Sequence, residues 1–293
     1  MAVFKHAYKG YDGSLTPAWS RFLVLPRYAF EEMRRKRFYS MFFLVSMLPP
    51  LVFALIIYIQ HNLSAIKILQ IRDLIQINAH FFLNFLVWQS MMAFFLAVFV
   101  GPGQISPDLA NNALPLYLSR PFSRAEYVLG KLSVLLILMS IMTWIPGLLL
   151  FIIQATLEGN GWFAQNLRIA GAIFFGSWIW ILVISLLALA LSAWVKWKPM
   201  AGGLLFGVFF VAGGFAGAIN GIMRTRWGNL LSLSYTMNAV WASLFEQPAR
   251  RRVFIRAPQA DIPIWCCWMS LLAVCALSLY LLKRKIRGVE VAR

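Results

Sequence analysis

Apolar residues along this chain come in long runs, not in the period-two alternation of strands or the narrow stripes of soluble helices. A helix needs about 20 largely apolar residues to cross a bilayer. Six runs qualify, at about 38–59, 78–100, 126–154, 166–193, 199–222 and 262–282. The pattern predicts an all-α polytopic membrane protein. A segment 1–37 precedes a six-helix transmembrane domain over 38–282, and a basic tail follows over 283–293. The shorter polar stretches carry their own helical signals. Thr16-Pro17 has the form of an N-cap followed by proline at the first helical position. Beyond it Trp19, Phe22, Leu23, Phe30 and Met33 can share one side, with Arg27, Glu31, Glu32, Arg34 and Arg35 on much of the rest. This predicts an amphipathic helix lying on the inner leaflet, broken or kinked at Pro26.

The loop 223–261 holds a further periodic set: Trp227, Leu230, Leu231, Met237, Val240, Trp241, Leu244 and Phe245. Asn229, Ser232, Asn238 and Ser243 interrupt it, too many polar groups for a lipid-exposed span. An interfacial or re-entrant helix on the outer side is the expectation. A seventh crossing would also put the basic tail outside.

Composition narrows the class. At 61% hydrophobic and 13% charged residues, the 293-residue chain is too apolar for a soluble domain. The net charge of +17 would point to nucleic acid in a soluble protein. Here Lys and Arg sit beside the apolar runs, as topology and anionic lipid require, and no basic segment has the aromatic interleaving of a nucleic-acid module. Lys5, Lys9, Arg21, Arg27 and the run 34–37 precede the first span. Placing them in the cytosol also places there Arg120, Arg124, Lys196, Lys198 and the tail, so both termini are expected inside. The arginines at 224, 226, 250–252 and 256 then lie outside, in a long loop that weighs less in this rule. The start lacks the apolar centre of a signal peptide, so the first span is expected to orient the chain.

Chemistry is sparse. Cys266, Cys267 and Cys275 share one apolar run without metal or redox spacing. No H-E-x-x-H or G-x-S-x-G occurs, and the one Gly-Lys pair, Gly130-Lys131, lacks the remainder of a P-loop. The chain is therefore read as a non-catalytic membrane subunit without a metal site. His80, Asn84 and Trp88 can share a helix face beside Gln89. Hydrogen bonding between helices is the expectation for these, and likewise for Gln154 and Asn220. Arg168 is expected to snorkel.

Two stretches carry more. Over 106–119, Ser106-Pro107-Asp108 has the grammar of a helix start: hydroxyl cap, proline, then an acid near the positive end of the dipole. Leu109, Ala113, Leu114, Leu116, Tyr117 and Leu118 give it an apolar surface, and Arg120-Pro121 stops it. Ser123-Arg124-Ala125-Glu126 then matches a capping box opening the third span. From 124 to 154 that helix would run roughly 46 Å, well beyond the ~30 Å hydrocarbon core. The expectation is a stiff lever carrying a short amphipathic helix on the cytosolic side. The plain alternative is a surface helix without a partner. The second stretch is the fifth run, where Gly203/Gly207, Gly213/Gly217 and Gly217/Gly221 form G-x-x-x-G pairs and Gly203, Gly207, Gly214, Gly217 and Gly221 nearly follow one stripe. Such glycines let helices approach closely, within one chain or between two copies.

The phrase "SPDLANNALPLYLSRPFSRAEYVLGK" resembles the segment after the second span of type-2 ABC exporter permeases. Leu118, Pro121, Ser123, Arg124, Gly130 and Lys131 fall on the shared wording. Six spans, the N-terminal surface helix and the amphipathic outer loop also resemble that family. The long arginine-bearing outer loop and Pro49-Pro50 in the first span depart from it. The resemblance implies that 106–119 is a coupling helix docking on a cytosolic ATPase. Ser106, Pro107, Asp108, Leu109, Leu114, Leu116, Tyr117, Arg120, Pro121, Ser123, Arg124 and Glu126 would form that junction. It further implies a dimer, with a second or homologous permease seated along the fifth-span glycines, in a bacterial cytoplasmic membrane. ATP and Mg would be bound by the partner ATPase, with no cofactor in this chain. Membrane lipids and an extracytoplasmic accessory protein are further expected partners. The function implied is ATP-driven export of an amphipathic or lipid-like molecule. The alternative is a membrane transmitter that relays ATPase motion without transport of its own.

Overall fold

The computed structural model describes residues 17–62, 76–113, 117, 123–159, 161–246 and 262–286. Among them there is no strand, and six helical stretches are long and apolar enough to cross a membrane. They are Arg37–Asn62, Ala79–Ala110, Arg124–Glu158, Leu167–Trp194, Lys198–Met223 and Ile264–Lys285, numbered here as spans one to six. The protein is an all-α, multi-pass membrane protein. Thr16 lies outside the described residues.

Burial sorts the spans. The fourth is the hub, with 67% of its central window buried, against 11% for the first and 22% each for the fifth and sixth. It packs on the second, third, fifth and sixth spans, and its small residues (Ala172, Gly176, Ser177, Ala188, Ser192) let those neighbours come close. A Cβ on Gly176 would sit 3.1 Å from the Trp241 ring. The first span keeps Met41, Leu44, Leu48, Leu51 and Leu55 outward.

Prolines shape two spans. The first span breaks at Met47, between helices Arg37–Ser46 and Leu48–Asn62. Pro50 has no N–H to give Ser46 O, the carbonyl four residues back. That orphan accepts instead from Gln89 Nε2 at 2.9 Å, from the second span, with Ser46 and Gln89 both fully buried. Gln89→Leu is expected to destabilise the chain by about 1–3 kcal/mol by stranding this carbonyl. Pro50→Ala should relieve most of that cost, because a backbone N–H again reaches Ser46 O. Unfolding of the two single variants and the double variant in mixed micelles checks the coupling.

The third span is not the stiff rod its length predicts. It kinks at Thr143 (φ −107°, ψ −85°), between Arg124–Met142 and Trp144–Glu158, where Pro146 has no N–H to give the carbonyl four residues back. Thr143 Oγ1 turns back to donate to Met139 O at 2.7 Å.

After the fifth span the chain turns at Arg224, whose left-handed φ of 50° occupies a position that commonly takes glycine. Asn220 holds this turn, accepting from Gly228 N at 2.9 Å and donating to Asn229 at 2.7 Å. A 3-10 turn, Trp227–Leu231, runs back along the fifth span. By Ser232 the chain is level with Gly213, about 15 Å short of that span's end at 1.5 Å per residue. Helix Leu233–Leu244 then returns outward, and Glu246 pairs with Arg168 at the start of the fourth span. This is a re-entrant hairpin. Trp241 anchors it by donating to Gly176 O at 2.9 Å. Arg168 thus has a carboxylate partner, and Asn220 bonds between elements as its polarity required. Gln154 instead donates along its own helix to Glu158 (3.2 Å), which also meets His61 Nε2 of the first span at 2.9 Å.

The N-terminal segment forms a 3-10 turn, Ala18–Leu23, then the α-helix Val24–Arg35. Pro26 does not break it. It falls in the first turn, where its missing N–H has no partner to lose. Pro17 is extended and precedes the turn. Phe22, Leu25, Phe30 and Met33 turn inward, while Leu23 is 43% exposed. Lys36 bonds Glu32 at 2.5 Å, and that bond holds the Glu32 carboxyl below the usual carboxylate range.

Candidate functional site

The end of the second span, the start of the third and the N-terminal helix meet on the face that carries the basic N-terminal segment. The short helix there begins earlier than its sequence indicates. It runs Pro102–Ala110, continuous with the second span, because Gly101 keeps helical angles (φ −55°, ψ −48°) and Pro102 is tolerated at a first position. Ser106-Pro107-Asp108 therefore lies in the helix interior and is not its start.

Ser106 is fully buried and caps nothing in its own helix. Its hydroxyl donates to Ser192 O at 2.9 Å. Ser192 Oγ in turn accepts from Ile105 N (3.1 Å) and Ser106 N (3.0 Å) and donates to Pro102 O (2.9 Å). One serine of the fourth span thus meets three backbone groups of another element, using its single proton and both lone pairs. Nothing in "ALALSAW" signals this role.

Asp108 faces inward too. Its Oδ2 accepts from Tyr127 Oη at 2.6 Å and pairs with Lys131 Nζ at 2.8 Å. Tyr127 and Lys131 stand one turn apart on the third span and present one face. Both ends of the ion pair are largely buried, with 15% and 13% of their side chains exposed. The Tyr117 ring lies 5.5 Å from that of Tyr127, and Lys131 sits 5.9 and 5.6 Å from the two ring centres. Burial, then the nearby Asp108 charge, raises the Tyr117 phenol above its ordinary pKa. The cluster thus holds an ion pair and two tyrosine rings in one array.

Two further contacts fix the third span's entry. The capping box is present: Ser123 Oγ accepts from Glu126 N at 3.2 Å, and Glu126 Oε2 accepts from Ser123 N at 2.6 Å. Gly130 is where the N-terminal helix lies closest. A Cβ there would sit 2.6 Å from Leu25 Cδ1 and 2.9 Å from Phe22 O. The Gly-Lys pair thus serves packing through its glycine and charge pairing through its lysine.

Of the expected coupling residues, Ser106 is buried, Pro107, Asp108, Leu109, Tyr117 and Glu126 are partly buried, and Ser123 and Arg124 are exposed. Leu114, Leu116, Arg120 and Pro121 lie outside the described residues, as does Leu118. Asn111 and Asn112 are also exposed at the turn, Asn112 with φ 52°. The fifth-span glycines divide. Around Gly203, Gly207, Gly214, Gly217 and Gly221 no other described atom lies within 4 Å of an added Cβ, and Gly213 meets only Ser232 Oγ at 3.6 Å. The glycine that packs within the chain is Gly202, where a Cβ would lie 3.0 Å from Val98 O. Compared with known proteins, the chain matches no family model, and no curated protein matches it significantly.

Proposed function

We propose that the chain is the permease subunit of an ABC exporter of the type-2 kind, moving an amphipathic or lipid-like molecule across a bacterial cytoplasmic membrane. A separate ATPase subunit supplies the energy, since this sequence has no P-loop. One observation carries the reading. The helix Pro102–Ala110, which ends the second span, is tied to the third span through Asp108–Lys131 and to the fourth through Ser106–Ser192. A load applied at this corner reaches three spans at once, as an energy-coupling surface requires. The clustering of Lys and Arg on the same face supports placing it in the cytosol, where an ATPase would dock. Asn111, Asn112 and Arg124 offer exposed contacts there, with Tyr117 and Asp108 supporting them from beneath.

The open glycine stripe supports a dimer. Glycines in a lipid-facing helix with no neighbour inside the chain fit the close approach of a second helix. The first span also carries an exposed apolar face, with Met41, Leu44, Leu48, Leu51 and Leu55 outward.

Affinity isolation of the tagged chain from its native membrane, with mass spectrometry of the eluate, tests the first point. A P-loop protein in near-equal amount, bringing ATP hydrolysis with it, is expected. A chain that isolates without one, or that hydrolyses ATP unaided, overturns the reading. Gly207→Cys and Gly217→Cys should each form disulfides between copies; monomeric chains under oxidation remove the seam.

A further inference from the structure

The first, second, fourth and fifth spans and the re-entrant helix line a half-open cavity of about 630 Å³. This volume falls in the range of sites that take drug-sized or lipid-fragment ligands. It follows the second span from His80 to Met91, about 16 Å at 1.5 Å per residue.

Its wall has two kinds of surface. Phe53, Trp88, Trp180, Phe209, Phe210 and Trp241 supply aromatic faces. Hydrogen-bonding groups come from His80, Asn84 and Ser90 on one side and Ser234 and Asn238 on the other. His80, Asn84 and Trp88 do share a face, as their spacing predicts, but that face lines the cavity and makes its amide bond within the helix. Asn84 Nδ2 donates to His80 Nδ1 at 3.0 Å, which leaves the Asn84 carbonyl as one acceptor on this wall. Trp88 and Phe210 are 49% and 41% exposed and stand in its rim, beside the first and fifth spans.

No Asp, Glu, Lys or Arg is among the described residues that line it. A charged ligand would find no fixed counter-ion on this wall, where His80 is the one ionisable side chain and bonds Asn84, which is unfavourable in a low-dielectric site. A pure hydrocarbon would strand the Asn84 carbonyl and the Ser234 hydroxyl. Both limits are met by one class of molecule. We propose that this cavity binds an uncharged amphiphile of the monoacylglycerol kind, an apolar body carrying a hydroxyl or ester head. The hydroxyl donates to Asn84 Oδ1, and the chain lies against the aromatic wall. As a binding site it stands apart from the permease reading; as the place where cargo is held it rests on that reading.

The test uses the full chain in nanodiscs, without any ATPase, and a monoacylglycerol bearing a diazirine on its acyl chain. The same chain ending in a carboxylate or a trimethylammonium group serves for comparison. After irradiation, adducts from the glyceride are expected on 80–91 and 234–241, about fivefold above either charged analogue. Ser234→Trp, which narrows the cavity, should lower them about fivefold while leaving labelling at the lipid-facing Leu272 unchanged. Asn84→Leu keeps the volume and should reduce the preference for the neutral head to about twofold or less. Equal labelling by all three head groups, or unchanged labelling of 80–91 in a folded Ser234→Trp protein, overturns the proposal. If Ser234→Trp does not fold, Asn84→Leu decides alone: a preference that persists in it rules out head-group recognition here. Failure of labelling leaves the ATPase association untouched, and failure of that association leaves the labelling untouched.

Discussion

Asp108→Ala is expected to destabilise the chain by about 2–4 kcal/mol, because it leaves the Lys131 ammonium largely buried without its counter-charge and takes the acceptor from Tyr127. The large value follows from burial; the same pair on an exposed surface would contribute about 0–1 kcal/mol. Replacing both partners tests the origin of the effect. Asp108→Leu with Lys131→Met removes the charges together, and apolar replacements of a buried pair are often neutral. The double variant should therefore recover most of the stability lost by Asp108→Ala. Equilibrium unfolding in mixed micelles separates the cases. A double variant as unstable as the single one would mean that the pair's geometry, not its uncompensated charge, holds the corner. If the corner also transmits load from an ATPase, the double variant should be stable but impaired in coupled ATP hydrolysis, which stability measurements alone would miss.

Gly130→Ala should displace the N-terminal helix. The added methyl would lie 2.6 Å from Leu25 Cδ1, a flexible side-chain end that can move, and 2.9 Å from Phe22 O, which is backbone and cannot move alone. Overpacking of this kind costs about 1–3 kcal/mol, and here it falls on one surface helix, not on the whole fold. Limited trypsin cleavage at Arg27, Arg34 and Arg35, all exposed, reads the displacement. Cleavage is expected to rise roughly tenfold, as the open form becomes more populated. Adding Leu25→Ala should restore only part of the protection, since the contact with Phe22 O remains. Unchanged cleavage in Gly130→Ala would show that the helix is not seated on the third span.

The six spans were legible because apolar runs of this length have few other uses, and their observed ends lie within a few residues of the expected ones except in the second, which runs on through Pro102–Ala110. The capping box was legible because its hydrogen bonds are local: Ser123 and Glu126 are three residues apart, and both bonds form. The re-entrant hairpin was half legible. Asn229, Ser232 and Asn238 argued against a lipid-exposed span, but only the contacts of Ser232, Trp241 and Glu246 show the dip and return. The start of the short helix was misread because "SPD" satisfies a local cap rule, whereas Ser192, 86 residues away, claims Ser106 instead. Partners that distant leave no mark on spacing. The same holds for Gln89 and Ser46: proline announced an orphan carbonyl, and nothing in the sequence announced what would satisfy it. The third span's length was legible and its kink was not, because an apolar run shows length, whereas the missing N–H of Pro146 sets the bend.

The seat of the N-terminal helix has a consequence for how the chain is made. Residues 22–33 leave the ribosome first, yet the surface that receives them, around Gly130, follows roughly a hundred residues later, on the order of five to twenty seconds at usual elongation rates. Throughout that wait Phe22, Leu25, Phe30 and Met33 have no protein to cover them. The nearest apolar phase is the bilayer surface, where a helix with one greasy side and one arginine-rich side can rest without aggregating. Amphipathicity in this segment is therefore a parking device of biosynthesis as well as a feature of the finished protein.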